Sequence, residues 1–323
     1  MTELFFDIPG NPRPDRAAGG FLKTRDGYRL RYAHFLPDGQ PARGTVVVLP
    51  GRNECIEKYF ETIRDLSARG LGSVIMDWRG QGASDRLIRN PMPGHVISFD
   101  HYAHDLDQLF TEIVLPDCRG PYFVLAHSTG ALIALLAAPR LANRVQRMVL
   151  IAPFLGLVGM PLSMRNIRRI LGLLYWIGLR RIYASGGRRP EQAPPFGTNK
   201  LTTDADRYRR NMSLWAAHPQ LTLGGPTVSW VRAACIAADM IQSPAFVERF
   251  RIPTLVVAAG ADEVVSTRAI EDFARRLKTA SLLTIDGARH EILQEADRYR
   301  EQLLAAFDAF VPGSAAEAVE AAD

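Results

Sequence analysis

The chain reads as an α/β protein built on a mostly parallel sheet with helices on both faces and an inserted helical segment. Three observations lead there. Short runs rich in Val, Ile and Leu alternate with longer segments of helical period, the rhythm of βαβ units. The strand runs are apolar throughout, as parallel strands covered on both faces must be. The rhythm also fails between about Phe154 and Phe250 and then resumes, which marks an insertion into one sheet domain.

In chain order, FLKT and YRLRYAHFLP, joined through Arg25-Asp26-Gly27, predict an antiparallel hairpin at the sheet edge. Strands are predicted at TVVVLP (45–50), LGSVIMDW (71–78), PYFVLA (121–126) and QRMVLIAP (146–153). The helical patterns EKYFETIRDLSARG, YAHDLDQLFTEIV and ALIALLAAPRL separate them. The insertion carries Pro and Gly clusters, GGRRPEQAPPFG and LGGPT, and one helix-like run, IRRILGLLYWIGLRRIY. Strand PTLVVAAG (253–260), helix RAIEDFARRL, strand ASLLTID and a helix from about Glu291 to Phe310 follow, giving eight strands. The expected divisions are an extension over 1–20, core over 21–153, cap over 154–250, core over 251–312 and a flexible tail over 313–323.

At 323 residues, with 47% hydrophobic and 23% charged side chains, the chain is expected to fold around a sizeable core. Cys55, Cys118 and Cys235 outline neither a disulfide framework nor a metal cluster, so a reducing compartment is expected. MTELFFDIPGNPRPDR lacks the apolar core of a secretory signal, and a cytoplasmic location is the expectation. A formal charge of +5 raises nucleic acid and acidic lipid as partners. No helix-turn-helix, zinc-finger or RNA-binding signature accompanies that charge, so nucleic acid is not expected. There is no metal-ligand spacing, and RGQGAS lacks the Lys-Ser/Thr ending of a phosphate loop; neither metal nor cofactor is expected. Oligomeric state has no signature here.

The stretch AHSTGA breaks a strand at His127-Ser128 and restarts as a helix. Such turns usually rely on Gly or Asn. A hydroxyl at the break suits a nucleophile projected from the carboxyl end of a central strand. Ala126 and Gly130 meet the crowding of that elbow, whose usual pattern is Gly-x-Ser-x-Gly. The alternative is an ordinary helix N-cap. Partners in the order nucleophile, acid, histidine favour the elbow. Asp262 follows PTLVVAAG and His290 follows SLLTID, both beyond a strand's carboxyl end, where open α/β sheets place their sites. The imidazole takes the serine proton, and the carboxylate fixes the tautomer. Glu263 competes for the acid role, with Asp262 preferred on loop position. His127, His34, His95, His101, His104 and His218 are read as structural. The candidate oxyanion donors are the backbone N–H groups of Thr129 and of Arg52, in the loop after TVVVLP.

The strings PGRNECIEKYFE, DWRGQGASDRL, PGHVISFDHYAHDL, LAHSTGA and NKLTTDADRYRRNMSLWAAHPQLTLGGPTVSWV together resemble the bacterial lysophospholipase L2 family. That family is a branch of the α/β-hydrolase superfamily close to monoacylglycerol lipases, and the resemblance runs from about Phe21 to Val311. It implies an α/β-hydrolase fold and a serine esterase that removes the remaining acyl chain of a lysophospholipid. By position it makes Ser128 the nucleophile, Asp262 the acid, His290 the base, and Arg52 with Thr129 the oxyanion hole. Ala126 departs from the usual Gly. Pro50-Gly51 stands where monoacylglycerol lipases have His-Gly, which favours the lysophospholipase branch. The alternatives are a monoacylglycerol lipase, a generalist carboxylesterase, and a non-catalytic ligand-binding protein on the same fold. The family pattern also suggests that Arg79 pairs with Glu54 to brace the oxyanion loop.

An enzyme for a one-chain amphiphile needs an apolar slot and a cover that excludes water. Within the insertion, Ile170 to Leu179 is apolar and framed by Arg168, Arg169, Arg180 and Arg181. About ten apolar residues are too few to span a bilayer. The run is expected to cover the site, with peripheral contact to anionic lipid at the inner face of a membrane as a further role.

Overall fold

The computed structural model describes residues 4–37, 42–159, 164–187 and 194–313. Strands β1 (Ala17–Lys23) and β2 (Arg29–Phe35) form the expected hairpin. β1 starts inside the stretch read as an extension, because its leading AAGG has little strand propensity and only pairing with β2 holds it extended. β3 (Thr45–Leu49), β4 (Gly72–Met76), β5 (Tyr122–His127), β6 (Val145–Ile151), β7 (Thr254–Ala259) and β8 (Ala280–Ile285) pair in parallel. The order is β1-β2-β4-β3-β5-β6-β7-β8, with β2 antiparallel to β4. β3, β4 and β7 are buried along their whole length, which is why they read as unbroken apolar runs.

Helices α1 (Phe60–Ala68), α2 (Asp100–Leu109), the single-turn α3 (Leu115–Asp117) and α4 (Thr129–Leu141) precede β6. Between β6 and β7 lie α5 (Met164–Trp176), α6 (Ala205–Ala217), α7 (Val228–Ile241) and α8 (Pro244–Arg249). α9 (Thr267–Arg276) and α10 (Asp297–Phe310) complete the fold. The helix expected from Glu291 opens as a short turn at Ile292–Gln294 before α10 begins.

β6 and β7 are neighbours, with Met148 opposite Thr254, so the chain between them leaves the sheet and returns beside its point of departure. Its α7 buries Trp230, Ala233, Ala234 and Ala237 in the same core as β5 and β6. α5 packs in turn on α7 through Ile167 and Leu171 against Val228 and Cys235. Among the described residues no helix is long and apolar enough to cross a membrane. The tail beyond 313, expected to be flexible, lies outside the described residues.

Candidate active site

Ser128 sits between β5 and α4 with φ +51° and ψ −112°, a backbone that non-glycine residues rarely adopt and that costs about 1–3 kcal/mol. Its side chain caps no helix N–H, which removes the N-cap alternative. Gly130 permits the turn, since a Cβ there would lie 2.3 Å from the carbonyl oxygen of Leu49. Ala126, the departure from Gly, is wholly buried between Leu49 of β3 and Leu150 of β6.

The three side chains singled out in the sequence meet. His290 Nε2 lies 3.0 Å from Ser128 Oγ, and His290 Nδ1 lies 2.8 Å from Asp262 Oδ2. The other Asp262 oxygen accepts the N–H groups of Val264 at 2.7 Å and Val265 at 2.9 Å. Burial opposes ionisation of Asp262, yet the His290 hydrogen bond and those two N–H donors outweigh it and hold the carboxyl below its usual value. Glu263, the competing acid, points outward to Lys200 at 3.5 Å.

A second set of buried charges adjoins these side chains, and Glu54, His127 and Glu291 among them also line the cavity described below. Glu54 accepts from the Gly51 N–H, from Lys58 Nζ at 2.8 Å and from Tyr59 Oη at 2.5 Å, and it pairs with His127 Nδ1 at 3.2 Å. Lys58 also reaches Glu291 at 2.6 Å, and His127 Nε2 lies 3.1 Å from the carbonyl oxygen of His290. Burial alone would push Glu54 up and His127 and Lys58 down. Their mutual attraction reverses each direction, so Glu54 is held well below, and His127 and Lys58 above, their ordinary values. The cluster ties the loop of Gly51 and Arg52 to the loop of His290.

Arg79 does not belong to it. Its guanidinium pairs with Asp105 at 2.5 Å and Asp26 at 2.7 Å, joining the loop after β4 to α2 and to the hairpin turn. The expected Arg79–Glu54 brace is thus replaced by Lys58, Tyr59 and His127. His127, read as structural, stands with its ring 4.9 Å from that of His290 and lines the cavity. The available signal was Glu54 and Lys58 four residues apart, just after the oxyanion loop.

Arg52, Ser128, Thr129 and His290 line a cavity of about 610 Å³, together with the apolar Ile167, Ile170, Leu171, Trp215, Trp230 and Val231. Among the described residues the N–H groups of Arg52 and Thr129 meet no protein acceptor. No group of three or more His, Cys, Asp or Glu side chains there could hold a metal ion. The Asp262–His290–Ser128 contacts thus open on a largely apolar cavity.

The family described as serine aminopeptidase, S33, matches residues 40–297. The chain belongs to this family. It is 36% identical to lysophospholipase L2 of Escherichia coli K12 over 271 residues, covering 80% of this chain and 77% of that one. It is 27% identical to a probable lysophospholipase L2 of Haemophilus influenzae, covering 90% and 91%. Among solved structures, a soluble variant of monoglyceride lipase from Saccharomyces cerevisiae superposes with a TM-score of 0.71 at 19% identity, over 93% of this chain and 97% of that one. A carboxyl esterase from Bacillus coagulans gives 0.73 at 18%, over 92% and 98%. At those identities the structures establish the α/β-hydrolase fold, and the sequence relatives carry the family.

Proposed function

We propose that this chain is a carboxylic-ester hydrolase for lysophospholipids, working through an acyl-enzyme on Ser128. The observation that carries the reading is the unbroken contact from Asp262 through His290 to Ser128 at the wall of an apolar cavity, in a chain similar to lysophospholipase L2. His290 Nε2 takes the Ser128 proton as Oγ attacks the ester carbonyl, and the N–H groups of Arg52 and Thr129 hold the oxyanion. Collapse breaks the bond to the glycerol oxygen, which leaves with the proton from His290. Water, deprotonated by the same imidazole, then attacks the acyl-enzyme, releasing fatty acid and regenerating Ser128. Asp262 stabilises the imidazolium at both stages. The residues between 154 and 250 serve as a cap that supplies the acyl slot.

Fluorophosphonate labelling tests the nucleophile. Wild type takes one label, and Ser128→Ala takes none, keeps its circular dichroism and loses ester hydrolysis by about 10⁴-fold or more. A folded Ser128→Ala that still turned over lysophospholipid would defeat the assignment.

We also infer that the cap rests on anionic lipid. Leu173 and Trp176 of α5 are 66% and 79% exposed, and Ile177 and Ile182 beyond it are open as well. Arg169, Arg180 and Arg181 stand near them in the chain. Apolar side chains ringed by cations suit a bilayer surface rather than open water. Flotation with vesicles containing phosphatidylglycerol at low salt should carry the protein upward; its absence from the floating fraction refutes the contact.

A further inference from the structure

Arg52 has a side chain as well as a backbone N–H at this site. Its Nη2 donates to the carbonyl oxygen of Gly224, and its guanidinium carbon lies 5.7 Å from the centre of the Trp230 ring. Trp230 is held edge-on by Phe99 at 5.3 Å and Phe154 at 6.2 Å, so the aromatic seat is rigid. The guanidinium also abuts the backbone of Gly94, where a Cβ would come within 3.2 Å of Nη2.

What this cation lacks is a counter-charge. Arg31 pairs with Glu57 and Asp77, Lys58 with Glu54 and Glu291, and Arg79 with Asp26 and Asp105. No described Asp or Glu pairs with Arg52, and its Nε, shielded from solvent, has no hydrogen-bond partner. Burial pushes the guanidinium down to about 10, which leaves it charged at neutral pH. A half-buried cation whose protein partners are one carbonyl and one aromatic ring is favourably completed by an anion. Arg52 is one of the residues lining the cavity, and the same residue carries the donor expected to hold the ester carbonyl.

Covalent geometry identifies a fitting anion. The same number of bonds separates the backbone nitrogen of an arginine from its guanidinium carbon as separates the ester carbonyl carbon of a 1-acyl lysophospholipid from its phosphorus. An extended substrate whose carbonyl meets the Arg52 N–H can thus bring its phosphate to the guanidinium of the same residue. Gly224 lies two residues before Pro226, which lines the cavity with Ala184 and Ser185. With Nη2 on the Gly224 carbonyl and Nε shielded from solvent, Nη1 is the nitrogen left to donate to a phosphate oxygen, a charge-assisted bond.

We propose that the Arg52 guanidinium binds the phosphodiester anion of the substrate headgroup, on the side of the cavity bounded by Gly224 and Trp230. This rests on the lysophospholipid reading above and adds where the headgroup lies and what selects it.

The test measures selectivity in Arg52→Gln, which retains the backbone N–H. For a lysophosphatidylcholine and a monoacylglycerol of equal chain length, the ratio of their kcat/KM values should fall about tenfold or more, chiefly through KM, as for a lost charge-assisted contact. Arg52→Lys, which keeps the charge without the guanidinium, should recover part of the ratio. In parallel, glycerophosphocholine and decanoate are assayed as inhibitors of p-nitrophenyl butyrate hydrolysis. The inhibition constant of glycerophosphocholine should rise at least as much in Arg52→Gln, with that of decanoate moving less. An equal loss on both substrates, or an unchanged glycerophosphocholine constant, overturns the proposal. Selective loss of decanoate inhibition overturns it too, in favour of a seat for the product carboxylate. Wild type inactive on lysophosphatidylcholine defeats the lysophospholipase reading instead, while the inhibition arm still decides the role of Arg52.

Discussion

The sheet-side wall of the cavity is held by buried charge, whereas the cap-side wall is held by apolar contact. Beside Ser128 and His290, the side chains of Glu54, Lys58, His127 and Glu291 are all less than a tenth exposed and are bonded to one another. On the cap side, α5 rests on α7 through Ile167 and Leu171 and leaves Leu173 and Trp176 in the open. The difference follows from what the proposed function asks of each wall. A proton relay tolerates little displacement, and a closed ion network has few alternative arrangements; an acyl slot needs only volume and dryness. The comparison yields tests of graded size.

The largest effect belongs to the relay. Asp262→Asn should keep the fold and lower kcat about 10⁴-fold, because the amide cannot hold the imidazole in the productive tautomer or stabilise its charge. Glu263→Gln, at the exposed neighbour, should change kcat little. Comparable losses in the two variants would mean the acid has been misassigned.

Next is the network beside it. Lys58→Met strands Glu54 and Glu291 in the interior, and breaking a buried pair in this way costs about 3–5 kcal/mol in urea unfolding. Adding Glu54→Gln should restore part of that loss. If Lys58→Met cost about as little as an exposed ion pair, under 1 kcal/mol, the sheet-side wall would not be held by charge.

The same network sets a pH signature. Asp262 and Glu54 are held below their ordinary values of 3.8 and 4.5, so their contribution is complete above those values and fades as pH falls through the lower folded ones. His127 is raised above 6.5, so its contribution is complete below 6.5 and fades as pH rises through the folded value. Stability from this cluster should therefore be greatest between 4.5 and 6.5. His127→Gln should flatten the alkaline side, a slope of at most about 1.4 kcal/mol per pH unit for one proton. An unchanged alkaline slope in that variant would show that His127 is not a proton-binding member.

These tests bear on the part of the molecule that was least legible. The strands, and the three residues whose side chains meet at the cavity, could be read because each is announced locally: TVVVL is apolar because both faces are covered, and Ser128, Asp262 and His290 each follow a strand. The charged cluster has no such address. Glu54 and His127 are 73 residues apart and Lys58 and Glu291 are 233 apart, and only the closed fold selects these partners among 39 basic and 34 acidic residues. The misplaced Arg79 pairing has the same origin, since a motif fixes that a charge is needed without fixing which partner it meets. In α5, periodicity announced a helix, but which apolar residues face the slot depends on where α7 lies.

The cap supplies the smallest effects, and they separate its two faces. Leu171→Ala removes a buried contact to α7 and should cost about 2 kcal/mol or somewhat more, with a weaker KM for long acyl chains than for short ones. Leu173→Ser, two residues away and 66% exposed, should lie within about 0.5 kcal/mol of wild type in urea and leave turnover of a dispersed short-chain ester unchanged. Adsorption to vesicles is where Leu173→Ser should register, since most of the leucine side chain is open to solvent. If the Leu173 variant instead unfolded early and bound vesicles normally, the open face of α5 would be a packing surface, and the contrast between a charged wall and a yielding one would fail at the cap.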